Sequence, residues 1–394
     1  MNYKGIANAL IFDTETTTSN KGNFADKRNK LVVGGFHYGD HKVYTRFWYD
    51  DPDYVYHIQK CIDAHEWIVG FNLKFDLHWL LNVGIKFRDY HKLWDCQLFE
   101  YSKYYQRKKY ISLQDTCESY GLQGKIDVIK EEYWNKGIDT DQIPRDILGE
   151  YLDRDVQETY EVLQHQLAYR PDGMRPSWFN TFRRDCSDLW TVIEMERAGS
   201  LLDVQGVKCE LEQQQMRKQE LVQSVLSVVP TELHSSFNLN SNDDLSCLLY
   251  GGTIVEEQRI PVGVFKSGAR VGQPRYSVFK YEHVLPKRFE PARNSEMKKA
   301  GYWSTAEDNL LKIKANKKDR QLLDNIIEIG KIEKLIGSYL IKMPKMIEDY
   351  HWPAGYLHGQ YSHGITMTSR LASDKPNMQN MGPTMKKYII SRFV

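Results

Sequence analysis

The sequence predicts an α/β chain: a mixed sheet flanked by helices, followed by a mostly helical second part. Three observations carry that expectation. Apolar runs of strand length come early, at Ala7 to Phe12, Leu31 to Tyr38 and Val43 to Tyr49, separated by polar turns containing Gly and Asn, as in neighbouring strands of a meander. Helix and strand patterns then alternate. Tyr54 to Ala64 has helical spacing, Trp67 to Phe71 reads as a short buried strand, and Leu77 to Leu81 begins another helix, which argues for helices on the faces of a mixed sheet. From Arg145 to Ala168 the residues Ile147, Leu148, Tyr151, Leu152, Val156, Tyr160, Leu163 and Leu167 recur at helical intervals after Pro144. One long helix is predicted there, with Tyr151 and Asp155 on the same face because residues four apart are neighbours.

At 394 residues the chain exceeds the roughly 250–300 at which one hydrophobic core stops growing, so two or more domains are expected. The first is expected to end near residue 172, where Arg170 to Pro176 breaks the helical pattern, and residues 178 to 230 read as mostly helix. Residues 251 to 300 change character, with ten Lys+Arg against five Asp+Glu and interleaved Phe265, Tyr276, Phe279, Tyr281 and Phe289. They read as a loop or ribbon insertion. Helical periodicity returns from Thr305 to about Tyr350, and residues 356 to 394 read as short strands and turns.

The formal net charge of +1 hides an asymmetry. Residues 1 to 250 carry 29 Lys+Arg against 38 Asp+Glu, a net of −9, whereas residues 251 to 394 carry 24 against 14, a net of +10. An acidic part suited to cations precedes a basic part suited to an anionic polymer. The six cysteines are scattered without a C-x-x-C pair and nothing at the amino terminus resembles a secretory signal, so a reducing cytoplasm is expected. No apolar run approaches the roughly 18 residues of a spanning helix, and no membrane role is expected.

Ala7-Leu-Ile-Phe-Asp13-Thr-Glu15 places two carboxylates one residue apart, so in a strand both face the same side. Two further acidic pieces follow in order, Gly70-Phe-Asn72-Leu-Lys-Phe75-Asp76 and Tyr151-Leu-Asp-Arg-Asp155. Hydrolysis of a phosphodiester needs charge neutralisation at phosphorus, an activated water and a stabilised leaving oxygen. Two divalent cations about 3.5–4 Å apart on oxygen ligands supply all three. Each residue also has a plainer reading: Asp76 as a helix cap, Asp155 as part of a solvated acidic face with Glu150, Asp153 and Glu158, and Tyr151 as core. The ordered conjunction within one α/β domain outweighs them.

Asp13-Thr-Glu15, Asn72-x-x-Phe75-Asp76 and Tyr151-x-x-x-Asp155 resemble the three motifs of the DEDD exonuclease superfamily, in the subtype with a tyrosine in its third motif. The resemblance implies a ribonuclease H-like fold over residues 1 to 172 and removal of nucleotides from a 3′ end. It implies that Asp13, Glu15 and Asp155 hold a nucleophile-side metal, that Asp13 also reaches a second metal, and that Asp76 acts mainly through water on the metal. Tyr151 would orient the attacking water, and Asn72 and Phe75 would support the site. The cofactors implied are two divalent ions, Mg²⁺ or Mn²⁺.

The second half carries a further resemblance. Glu194-Met195-Glu196-Arg-Ala-Gly199-Ser-Leu-Leu-Asp203, Phe237-Asn-Leu-Asn-Ser241, Gly301-Tyr-Trp-Ser304 and above all His363-Gly364…Ser369-Arg370-Leu-Ala-Ser373…Pro376-Asn377-Met-Gln379-Asn380 are similar to segments of family A DNA polymerases. Ser369 stands where that family usually has glycine. By this resemblance residues 173 to 355 form a thumb-like helical region and residues 356 to 394 the start of the palm, with Arg370 and Gln379 as contacts to primer–template DNA. The polymerase carboxylate motifs and fingers helix do not occur in the sequence, so the chain alone is expected not to polymerise. It resembles the proofreading portion of a phage-type enzyme, split or truncated, with a second polypeptide supplying palm and fingers. The insertion, with Lys266, Arg270, Arg275, Lys280, Lys287 and Arg288, suits DNA backbone contact or a processivity factor. The patch Lys103 to Tyr110 suits a frayed single strand and, equally, an exposed amphipathic helix end. Two rival expectations are a DNA-gripping structural subunit and a freestanding ribonuclease of the same superfamily.

Overall fold

Apolar residues on both faces make Leu10–Thr16 (β1) the central strand of a mixed five-stranded sheet. The computed structural model describes residues 5–38, 41–89, 91–108, 111–122, 128–169 and 176–391. Strand β1 pairs antiparallel with Leu31–Tyr38 (β2), which pairs antiparallel with His41–Trp48 (β3). On its other side β1 runs parallel to Trp67–Gly70 (β4), reached through helix Tyr54–Asp63 (α1). Helix Leu73–Asn82 (α2) follows, and Lys92–Asp95 (β5) completes the order β3-β2-β1-β4-β5. The first strand starts later than its apolar run suggests because Ile6–Asn8 form a single 3₁₀ turn. It continues through Thr16, and Asp13 and Glu15 lie within it, paired with Gly35 and Val33.

Helix α2 begins four residues before the expected Leu77. Asn72 takes a left-handed conformation at its start, and the buried carboxylate of Asp95 accepts from the Leu73 amide at 2.9 Å. The same carboxylate caps Cys96–Lys103 (α3), accepting from Gln97 and Leu98 amides. Helices Leu113–Ser119 (α4) and Val128–Glu132 (α5) follow, and then the long helix Arg145–Ala168 (α6), whose bounds match the periodicity in the sequence.

Helix α6 lies across β1 and β2. A Cβ on Gly35 would stand 2.7 Å from Leu152, so the missing side chain is what lets the helix come so near the sheet. Gly149 is a second notch, filled by the Arg46 guanidinium of β3. That guanidinium grips Asp153 through two bonds, Nε to Oδ1 at 2.9 Å and Nη2 to Oδ2 at 2.7 Å, a bidentate geometry that fixes orientation as well as distance.

Two compact units emerge, residues 1–204 with 343–394, and residues 205–342. In the first, Pro176–Ala198 (α7) buries Phe182, Cys186 and Ile193 in the same core as Phe12, Phe36, Trp94 and Phe99. The boundary expected near residue 172 lies outside the described residues. Strand Ser200–Leu202 (β6) ends this run. In the second unit, Val204–Leu226 (α8), Asn242–Tyr250 (α9), Glu307–Leu310 (α10) and Lys317–Leu335 (α11) surround a core of Val225, Leu233, Leu248, Leu249 and Leu323. Between α9 and α10 the insertion is a ribbon, Gly252–Val264 (β7) against Pro274–Leu285 (β8), with only its base residues Ile254 and Leu285 buried. Helix α11 passes through a π-turn at Ile336–Leu340 and is followed by Lys342–Asp349 (α12).

The chain then returns to the first unit. Tyr356–Leu357 (β9) pairs with β6, Gln360–Ser362 (β10) pairs with Ala372–Asp374 (β11), and after the turn Pro383–Lys386 (α13) strand Ile389–Ile390 (β12) pairs with the other side of β6. No helix among the described residues is long and apolar enough to cross a membrane.

The notch at Gly35 yields a test. Gly35→Ala forces a methyl into Leu152, and overpacking of this kind costs about 1–3 kcal/mol. Urea unfolding followed by circular dichroism is expected to show that loss with an unchanged denaturant slope.

Candidate active site

Side chains two apart on a strand share a face, and Asp13 and Glu15 on β1 follow that rule. Helix α6, held close by the two glycine notches, brings Asp155 to the same place. Asp13, Glu15 and Asp155 each offer a carboxylate oxygen, and those oxygens all lie within 4.8 Å of one another. Glu15 and Asp155 are each 8 % exposed and Asp13 is half-buried. Three like charges so close repel strongly unless a cation or protons neutralise them. An all-oxygen donor set is the kind that Mg²⁺ and Mn²⁺ prefer, so the residues fit such ions.

Asp76 stands outside this trio. It lies in the first turn of α2, and its Oδ1 accepts from both the Thr14 amide at 3.0 Å and the Thr14 hydroxyl at 2.6 Å. Burial pushes its carboxyl well above the usual carboxylate range, against the pull of the Thr14 bonds, and nearby Asp95 adds to the rise. Burial likewise raises Asp95, opposed by the Leu98, Gln97 and Leu73 amides. The sequence motifs contain Thr14 and pass over it, since nothing in a D-x-E pattern says that the middle residue bonds the next motif. An Asp directly before a helical run is an N-cap signal, one missing from the expectations drawn from the sequence, and no local pattern marks Asp95 as a brace for a second helix.

Tyr151 is half-buried one turn before Asp155, with the Trp134 ring edge-on to it at 6.3 Å. Asn72 is exposed. Phe75 is half-buried against Gly22, whose φ of 68° and missing side chain leave room for the ring. Asn72 and Lys74 line a cleft of about 390 Å³ together with Gln97, Tyr101, Tyr361 and His363.

Arg370 and Gln379 are both exposed. Ser369, where glycine was expected, has φ of 53°, the left-handed region that favours glycine; the backbone keeps the glycine conformation although the side chain is present. The ribbon cations divide into two kinds. Lys280 pairs with Glu257 and Lys287 with Glu290, and Arg288 donates to the Val228 carbonyl. Lys266, Arg270 and Arg275 lie at or near the tip, exposed and with no acidic partner among the described residues, Arg270 resting on the Phe265 ring. In the patch from Lys103 to Tyr110, Lys103 is held by Glu100 and Tyr120, and Lys109 and Tyr110 lie outside the described residues.

Comparison with known proteins finds two family matches in this chain. Residues 3–169 match the family described as 3′-5′ exonuclease, and residues 277–392 match DNA polymerase family A. DNA polymerase I of Synechocystis sp. is 23 % identical over 322 residues, covering 79 % of this chain and 26 % of that protein. The chain thus spans about a quarter of the length of that curated relative. The solved structure of the POL domain of Pol1 from M. smegmatis, in complex with DNA primer–template and dNTP, shares its fold. The TM-score is 0.66 at 13 % identity, over 97 % of this chain and 55 % of that one. A mixed sheet bearing a carboxylate trio and a segment that returns to it thus coincide with two partial family matches in chain order: the first part of the chain is similar to 3′-5′ exonuclease domains and the last part to family A DNA polymerases.

Proposed function

We propose that this chain is a metal-dependent 3′-5′ exodeoxyribonuclease that proofreads for a replicative polymerase. The observation that carries the reading is the trio Asp13, Glu15 and Asp155 at the junction of β1 and α6. These residues would hold two divalent cations, which when bound neutralise charge on the scissile phosphate and favour ionisation of water. Tyr151, one turn from Asp155, orients the attacking water, and Asp76 supports the site from α2. The water oxygen bonds to phosphorus, the bond from phosphorus to the 3′ oxygen breaks, and that oxygen takes a proton. A nucleoside monophosphate leaves and the strand keeps a 3′ hydroxyl. The cleft beside Asn72 suits a single-stranded end, with Tyr101, Leu98 and Ile365 as apolar surface for bases and Lys74 as a cation for phosphate. A mispaired terminus reaches it more readily because it unpairs at lower cost.

The finer reading keeps three parts: a ribonuclease H-like exonuclease in residues 1–172, a thumb in 173–355, and a palm beginning at 356. The strand order, three antiparallel strands followed by two parallel ones, supports the first. DNA would be held also by Arg370, Gln379 and the ribbon, with a second polypeptide supplying palm and fingers in a phage-type split enzyme. A processivity factor is the other occupant considered for the ribbon.

Asp13→Ala is expected to lower release of nucleotides from a single-stranded oligonucleotide by a thousandfold or more, of the order seen when a central catalytic group is lost, with binding of the oligonucleotide retained. Retained hydrolysis would refute the assignment. The unsubstituted chain is expected to shorten a primer and not to extend it, and extension by this chain alone would refute that part of the reading.

In thermal unfolding, Mg²⁺ or Mn²⁺ at 100 times its dissociation constant is expected to stabilise the protein by about 2.7 kcal/mol. Asp13→Asn, which relieves repulsion within the trio, is expected to abolish that gain without lowering stability in EDTA.

Neutralising Lys266, Arg270 and Arg275 together is expected to weaken duplex binding and reduce its salt slope by up to about 2.7, at roughly 0.9 for each phosphate no longer neutralised. Neutralising Lys280 and Lys287, which are already paired, is expected to change the slope less; fluorescence anisotropy across a salt series reads both.

A further inference from the structure

Outside the carboxylate trio, one buried charge that joins three elements is Glu196 on α7, only 2 % exposed. Its Oε1 accepts from Lys74 Nζ at 2.7 Å and from the Tyr361 amide at 2.6 Å, and its Oε2 meets His78 Nε2 at 2.6 Å. Its backbone carbonyl also meets His358 Nδ1 at 2.8 Å. Burial lowers the His78 pKa against the pull of Glu196, and Nδ1 of the ring has no hydrogen-bond partner among the described residues. Phe24 stacks on the other side of that ring at 3.7 Å.

Lys74 and His78 are four residues apart and therefore share one side of α2. Asp76, two residues from each, lies about 200° round the helix and is bonded there to Thr14. The helix is thus held from two sides, by Thr14 on β1 and by Glu196 on α7. A helix restrained on one side only can roll about its axis. The second restraint fixes its rotation, and with it the direction of Lys74 into the cleft. Because Glu196 also takes the Tyr361 amide, and Lys74 donates to the Tyr361 carbonyl at 2.5 Å, the opposite wall of the cleft, residues 361–365, is seated by the same carboxylate.

We propose that Glu196 is a positioning residue for strand binding, setting the rotation of α2 and the seat of Tyr361 so that both walls of the cleft keep one geometry. The proposal rests on the exonuclease reading for its ligand, a single-stranded 3′ end, and not for its geometry.

The test uses Glu196→Gln, which keeps size and an acceptor for the Tyr361 amide, and Glu196→Ala, with an oligothymidylate as probe. In EDTA, where no hydrolysis occurs, fluorescence anisotropy is expected to show about tenfold weaker binding for Glu196→Gln, the scale of one charge-assisted bond, and more for Glu196→Ala. With Mg²⁺, KM is expected to rise by the same factor while kcat stays within about twofold. Lys74→Met combined with Glu196→Gln is expected to be no worse than the weaker single variant, since coupled residues are non-additive. Unchanged affinity in either folded variant overturns the proposal, as does a fall in kcat at constant KM or additivity with Lys74→Met. Binding read in EDTA keeps this outcome separate from Asp13→Ala, whose retained activity would refute the exonuclease reading alone.

Discussion

The chemistry of this protein depends on how close α6 comes to the sheet. Close packing of α6 on β1 and β2 is what brings the Asp155 carboxylate to within 4.8 Å of those of Asp13 and Glu15. Gly35 removes the side chain that would hold Leu152 away, and Gly149 opens a groove for Arg46. The Arg46–Asp153 fork then fixes the helix along its own axis. Neither glycine touches a metal or a substrate, yet the spacing of the trio follows from both.

Buried charge is the second organising constraint. A carboxylate out of water must be neutralised or hydrogen-bonded, and three of those here answer with bonds to several elements. Asp95 bonds the starts of α2 and α3. Glu100, fully buried on α3, accepts from Tyr120 and from Gln166 of α6, and Gln166 in turn accepts from Trp94 of β5. Glu196 ties α2 to β10. The polar groups thus fix the relative placement of elements that apolar packing alone would leave free to slide.

Much of this was readable from residue pattern. The period of α6 gave its bounds, because a long amphipathic helix repeats its signal many times, and the ribbon was visible as a basic stretch with interleaved aromatics. The start of α2 was not, since it is set by Asp95, distant in sequence, and by a left-handed Asn72. The trio was legible from the spacing of Asp13, Glu15 and Asp155. The bonds between Asp76 and Thr14 were not, because both atoms belong to motifs that the sequence presents as separate. Glu196 sits inside a recognisable stretch, but its partners Lys74 and His78 precede it and Tyr361 follows it at distances no local rule covers.

The first unit is discontinuous, and this shapes how the molecule is made. Strand β6 is flanked on both sides by strands that leave the ribosome only after residues 205–342. A nascent chain therefore carries Leu202 without its sheet, and Glu196 without the amide it accepts, for as long as the inserted unit takes to emerge. Non-local pairing of this kind is slow, and apolar surface left bare meanwhile invites chaperones or self-association. The segments that supply the carboxylate trio leave the ribosome before the inserted unit, whereas the wall formed by residues 361–365 arrives after it. Maturation thus brings the trio's own elements out before it completes the neighbouring cleft.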